Sequence, residues 1–195
     1  MKMVEADVGV VEARLLAGEL GCPLCEGHLR PWGFARGRPL RDGDRLVWVR
    51  PRRSRCRGCL VTHVLLPVVA LLRRRDLAAV IGRALHDYFV GGMSQEAVAE
   101  EAGVHPDTAR RWLRRFAANA AGLRAGFVAL AHSLEPLLGP VAPRGSVGRD
   151  ALEAIGVAAA AAARRWGPAP LWSFVSGATG GRLLANTMCT VAAWG

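Results

Sequence analysis

Four of the chain's five cysteines fall into two tight pairs, Cys22 and Cys25 in GCPLCEG and Cys56 and Cys59 in RCRGCLVTH, with 30 residues between the pairs. A spacing of two residues lets both thiolates of a pair converge on one ion while backbone N–H groups point at the sulfurs. Two such turns supply a closed tetrahedral shell, which suits a structural Zn²⁺ and leaves no open position for catalysis. Four thiolates on Zn²⁺ carry a net charge of about −2, which Arg55 and Arg57 would offset. A redox site would need only one pair, set on a βαβ scaffold. His28 and His63 follow the pairs at three and four residues and stand outside a shell that four thiols already fill. Cys189 has no partner pattern and reads as a buried thiol.

Arginine is the second chemistry-bearing residue type. The 195 residues hold 26 Lys and Arg against 16 Asp and Glu, a formal net charge of +10, and Lys2 is the single lysine. A GC-rich genome also produces such an arginine bias, yet the balance points to a polyanionic partner, nucleic acid first. The charge is concentrated: thirteen arginines against three acids give residues 21–75 a net +10. Within that segment the run Arg50, Arg52, Arg53, Arg55 and Arg57 suits backbone-phosphate contacts, the alternative being a solvated face.

These groups need elements to position them. Leu46 and Trp48 alternate with Val47 and Val49, and residues 62–66 are apolar and β-prone, which predicts the strands of a zinc ribbon around the cysteines. From Asp76 the apolar residues Leu77, Val80, Ile81, Ala84, Leu85, Tyr88 and Phe89 recur at helical spacing, and Gly91 and Gly92 stop the pattern. Ser94 is placed to cap a short helix over residues 95–102, with Val98, Ala99 and Ala102 inward. Gly103 breaks it, and Pro106 suits the first turn of a third helix. On that helix Ala109, Trp112, Leu113 and Phe116 share one side, and Asp107, Arg110, Arg111, Arg114 and Arg115 share the other. An anchored apolar face opposite four guanidinium groups is what insertion into a DNA major groove requires; the alternative is a helical hairpin with a solvated basic face.

Beyond it, Leu123, Phe127, Leu130, Leu134 and Leu137 continue a helical stripe, Pro140 and Pro143 mark a linker, and residues 149–166 form an Ala-rich helix. The tail reads as irregular and apolar, with Leu171, Trp172, Phe174 and Leu183 as a candidate partner surface. Gly177, Gly180 and Gly181 lack the GKS or GKT of a phosphate loop. The expected fold is therefore mainly α with a small β zinc ribbon. It comprises an N-terminal segment (1–19), the ribbon (20–70), a three-helix helix-turn-helix domain (71–120) and a helical C-terminal extension with an irregular apolar tail (121–195).

Several classes are excluded. The longest apolar runs, 14 and ten residues, fall short of the roughly 20 that span a bilayer, and the acidic start makes a poor signal peptide, so a cytoplasmic, nucleoid-associated protein is expected. After Phe116 only Glu135, Asp150 and Glu153 supply carboxylates, too few and too local for the metal-binding triad of a transposase catalytic domain, and His86 and His132 have no readable catalytic partner. No enzyme activity and no small-molecule substrate are expected.

The stretch QEAVAEEAGVHPDTARRWLRRF resembles the helix-turn-helix of bacterial repressors and transposases, with Val98, Ala99, Ala102, Gly103, Val104, Ala109 and Trp112 at that family's apolar, small and turn positions. Together with CPLC, CRGCLVTHVLLP and the closing GGRLLANT, the chain resembles small bacterial proteins of uncharacterised function that couple a zinc ribbon to a helix-turn-helix. These in turn are similar to the N-terminal region of insertion-sequence transposases. The resemblance implies His105, Asp107, Thr108, Arg110 and Arg111 as base or groove contacts and Arg114 and Arg115 as phosphate contacts. His105 departs from the Ser or Thr common at that cap. The resulting expectation is a sequence-specific, double-stranded-DNA-binding protein with structural zinc, either a transcription regulator or an accessory factor of a mobile element. A second copy, or a transposase or integrase, is its expected protein partner. The alternatives are a zinc-ribbon protein-interaction adaptor and a catalytically dead transposase remnant.

Overall fold

A computed structural model describes residues 1–185 and 191; Cys189 and the end of the GGRLLANT motif lie outside the described residues. Strands dominate the first third: β1 (Lys2–Val4), α1 (Val8–Ala17), β2 (Leu29–Phe34), β3 (Arg38–Asp42), β4 (Arg45–Val49), β5 (Arg52–Cys56) and β6 (Thr62–Pro67). Helices follow: α2 (Ala78–Phe89), α3 (Gln95–Glu101), α4 (Pro106–Leu134), α5 (Val147–Trp166) and α6 (Leu171–Ala178).

The sheet that carries the cysteines has the order β1-β6-β5-β2, antiparallel except for β1, which pairs in parallel with β6. Residues 1–20 are built into this unit. Asp7 Oδ1 accepts the N–H groups of Gly9 and Val10 to start α1, and Gly18 in the left-handed region (φ 73°) ends it. Val11 and Leu15 of α1 then close with Val4, Leu20, Leu29, Cys56 and Leu65 over one face of the sheet. That core is small, so little apolar burial is available to hold the sheet by itself.

β3 and β4 form a separate hairpin turned at Gly43 (φ 64°), and it ties the sheet to the helices. Leu40 is buried with Leu66 and Ala70, while Arg41 bonds through Nε to Asp76 Oδ1 at 2.7 Å. The hairpin tip reaches the turn between α3 and α4, where a Cβ on Gly103 would lie 3.7 Å from the Gly43 backbone.

The three expected helices form as their periodicity dictates. Ser94 Oγ accepts the Ala97 N–H at 3.1 Å, Gly103 (φ 62°) ends α3, and Pro106 opens α4. Trp112 is 3% exposed and Phe116 fully buried, packed with Val80, Ile81, Leu85, Val98 and Ala99 in the main core. Burying Phe116 alone contributes about 3 kcal/mol.

Helix α4 continues unbroken through residue 120 to Leu134, because Ala120, Leu123, Phe127 and Leu130 extend its buried stripe. α5 lies along this second half with Ala151, Ala154, Ala158 and Ala161 inward, small side chains that let two helices approach closely. The two run in the same direction: Arg149, at the start of α5, donates to the Phe89 carbonyl that ends α2, whereas Arg164, near its finish, pairs with Glu135 after α4.

Where the sequence reads as an irregular tail, residues 171–178 instead form α6. Leu183 is fully buried and Trp172 and Phe174 pack on the main core, so three of the four apolar residues serve the core, while Leu171 stays exposed. A Cβ added at Gly82 would sit 1.9 Å from the Trp172 indole, so Gly82→Ala is expected to lower unfolding stability by about 1–3 kcal/mol, read as a lower thermal midpoint. Among the described residues no helix is long and apolar enough to cross a membrane.

Candidate metal centre and nucleic-acid interface

The fold brings both cysteine pairs together. Cys22 and Cys25 lie in the turn before β2, Cys56 ends β5 and Cys59 lies in the turn before β6. Their four sulfurs all fall within 4.8 Å of one another, with Cys22 to Cys59 at 3.7 Å and Cys25 to Cys56 at 3.5 Å. A tetrahedral zinc–sulfur distance of about 2.3 Å requires sulfur–sulfur edges of about 3.8 Å, so the array fits such an ion. Backbone N–H groups of Leu24, Gly27 and Gly58 donate to the sulfurs of Cys22, Cys25 and Cys56 at 3.4, 3.4 and 3.2 Å, as CxxC turns are meant to do. Gly27 is required here, since a Cβ at that position would meet Cys56 Sγ at 2.9 Å.

The protonation balance agrees with a cation site. Burial pushes the Cys56 thiol up, but the Cys59 N–H, the Cys25 thiol and the Gly58 N–H bring it to about 6. The Val61 N–H favours the Cys59 thiolate, yet burial and the sulfurs of Cys56, Cys25 and Cys22 outweigh it and push that thiol to about 11. Four adjacent sulfurs cannot all ionise alone; a divalent ion at their centre favours thiolate at every position.

His63 stands outside the group of four sulfurs, as expected; it is 3% exposed, and its Nε2 lies 3.4 Å from Cys22 Sγ. His28 is exposed.

On α4 the structure separates the two faces as the periodicity requires. Arg110, Arg111 and Arg114 are exposed and Arg115 is half-buried, while Trp112 and Phe116 point away into the core. His105 supplies the N-cap through Nδ1, which accepts the Asp107 N–H at 3.3 Å and so replaces the usual hydroxyl. Asp107 is exposed and holds Arg110 Nη1 at 3.1 Å, and its carbonyl accepts Arg111 Nε at 3.1 Å. Thr108 is partly exposed beside them.

The five ribbon arginines do not act alike. Arg53 and Arg57 are exposed on or beside β5, and Arg50 is exposed with its guanidinium over the Phe34 ring at 4.7 Å. Arg55 stacks over Trp32 at 4.8 Å, and its Nε donates to the Leu60 carbonyl at 3.0 Å. Arg52 differs: its side chain is 12% exposed and grips Glu12 of α1 through Nε at 2.6 Å and Nη2 at 3.0 Å. That bond holds the Glu12 carboxyl below its usual range, so the Arg52 charge is matched within the fold. Sequence reading missed Arg30, which faces Arg55 across β2 and β5 and lies 5.8 Å from the Trp32 ring. Exposed Trp32 and Phe34 thus pre-order arginine side chains by stacking, for which two aromatic residues spaced by two in LRPWGF were the available signal.

Carboxylates gather elsewhere. A shallow pocket at the hairpin tip is lined by Asp42, Asp44, Asp87, Glu100 and Glu101 with Arg83. No curated protein and no solved structure matches the chain significantly. Residues 71–124, which span α2, α3 and the first two-thirds of α4, match the model of a homeodomain-like domain.

Proposed function

We propose that the chain is a sequence-specific double-stranded-DNA-binding protein in which a zinc ribbon, holding Zn²⁺ on Cys22, Cys25, Cys56 and Cys59, is joined to a DNA-reading helix-turn-helix. The observation that carries this reading is the division of α4: its indole face is sealed in the core and its guanidinium face stays open. The homeodomain-like match over the same residues supports it. The ion cross-links the turns and does no chemistry, since all four positions belong to protein sulfur.

In this reading the first turns of α4 enter the major groove. Arg110, held upright by Asp107, addresses base edges together with Thr108, while Arg111, Arg114 and Arg115 reach the groove walls. Arg50, Arg53, Arg55 and Arg57 of the ribbon clamp flanking phosphates, because the first turns of one helix read only a few base pairs. Resemblance to the N-terminal region of insertion-sequence transposases supports a role as a transcription regulator or as an accessory factor of a mobile element. A second copy of the chain or a transposase or integrase is then its protein partner.

Binding titrations on a selected duplex and a scrambled one test the assignment. Arg110→Ala should cost about 1–3 kcal/mol on the selected site and relax its specificity, whereas Arg53→Ala should weaken both duplexes alike and flatten the salt slope by about one. Uniform losses for both variants would refute the base-reading role of α4.

A further inference from the structure

Beside the arginines of α4 stands a guanidinium group that belongs to neither the ribbon nor the helix. Arg74 is the middle residue of Arg73-Arg74-Arg75, the run that joins β6 to α2. Its position is fixed through the C-terminal part of the chain. The Leu184 carbonyl accepts Arg74 Nη2 at 2.6 Å, and the next carbonyl, that of Ala185, accepts Nδ2 of Asn119 on α4 at 2.8 Å. Asn119 lies one helical turn beyond Arg115, and Arg115 one turn beyond Arg111, so all three share an edge of α4. Arg74 is thereby set against the arginine end of that edge. The segment that carries both carbonyls is itself anchored: Leu183 and Leu184 are buried, and the Gly181 carbonyl accepts the Leu72 N–H at 2.9 Å.

Positive charge is concentrated around Arg74. Burial lowers Arg74 from the usual arginine range, and the charges of Arg115 and Arg111 lower it further against an opposing effect of Asp76. Asp76 is already bonded to Arg41 at 2.7 Å. Arg74 Nε is shielded from solvent and has no hydrogen-bond partner among the described residues. Neighbouring guanidinium groups repel one another, and an anion bound among them would offset that repulsion.

We propose that Arg74, Arg111 and Arg115 form a cradle for one backbone phosphate of the bound duplex, braced by residues 181–185. The cradle rests on the DNA-binding reading of α4 given above. Two elements supply its donors from different directions, which surrounds a tetrahedral phosphate more completely than one helix face can, and each contact is charge-assisted. Through it the GGRLLA segment, remote in sequence from the helix-turn-helix, becomes part of the DNA interface. It acts as a positioning element that sets Arg74 at a constant place relative to α4.

The test uses the full-length, zinc-loaded chain in anisotropy titrations over a range of salt, on the selected and the scrambled duplex. Arg74→Gln is expected to weaken both by about tenfold and to make the salt slope shallower by about one, with Arg74→Lys restoring much of the slope. A single neutral methylphosphonate, scanned along the duplex, should weaken wild type at one position where Arg74→Gln and Arg115→Gln both lose the response. Loss of thermal stability in Arg74→Gln with an unchanged salt slope and methylphosphonate pattern would overturn the cradle and leave Arg74 as a brace for the C-terminal segment. If Arg74→Gln does not fold, an unaltered methylphosphonate response in Arg115→Gln overturns it instead. Failure of the wild-type chain to bind any duplex would refute the DNA-binding reading itself, and the cradle with it.

Discussion

Substitution of Cys56 by serine is expected to abolish metal binding and to unfold the strand-rich first third of the chain. Cys56 is at once a corner of the sulfur array and a fully buried member of the small core beneath it. Among the described residues seven buried ones close that core, so apolar burial leaves a deficit that a bound ion would offset. Structural zinc sites of comparable donor set contribute on the order of 10 kcal/mol to folding, far above the one or two kcal/mol that a buried thiol supplies by packing. Metal analysis should find one zinc per wild-type chain and almost none in Cys56→Ser. Limited proteolysis should then cut within residues 1–70 while α4 and α5, whose mutual packing needs no metal, remain protected. A chelated wild-type chain that keeps its melting profile and protease resistance would refute a structural ion.

Replacing Arg110, Arg111, Arg114 and Arg115 together by alanine is expected to eliminate specific DNA binding without unfolding the helices. All but Arg115 are exposed, and the core side of α4 is untouched by the change, so stability should move little. Alanine even favours the helix. Each arginine is expected to contribute about 1–3 kcal/mol or one unit of salt slope, and the joint loss should exceed about a thousandfold on a selected site. The residual binding, carried by the ribbon arginines, should show no site preference and fall below that of wild type on a scrambled duplex, because the phosphate contacts of α4 are lost as well. Retention of site preference by the quadruple variant would move the reading surface elsewhere in the chain.

What the sequence reveals and what it hides follow from how far apart the interacting residues lie. The sulfur array was legible because a CxxC turn is a local device and four sulfurs complete a shell by count alone. The three helices and the inward turn of Trp112 were legible for a similar reason: helical periodicity sorts faces within one segment. Non-local pairing was not. Nothing around Lys2 announces a strand that will lie parallel to β6, sixty residues on. Nor does the local sequence distinguish Arg52 from Arg53; the partner Glu12 comes from α1, and only tertiary approach matches its charge. Arg74 was hidden in the same way, since its neighbours come from α4 and from residues 184–185. The apolar run after Pro170 was misjudged because α6 gains its stability from packing, with Gly82 leaving room for Trp172.

The division of α4 into a sealed and an open face is tested most directly by selecting duplexes from a random pool with the full-length, zinc-loaded chain. Recovery of a short shared motif is expected, bound at least about a thousandfold more tightly than scrambled sequence and lost with the four-arginine variant. A pool that shows no enrichment, or the same motif recovered by that variant, would contradict DNA reading by this helix.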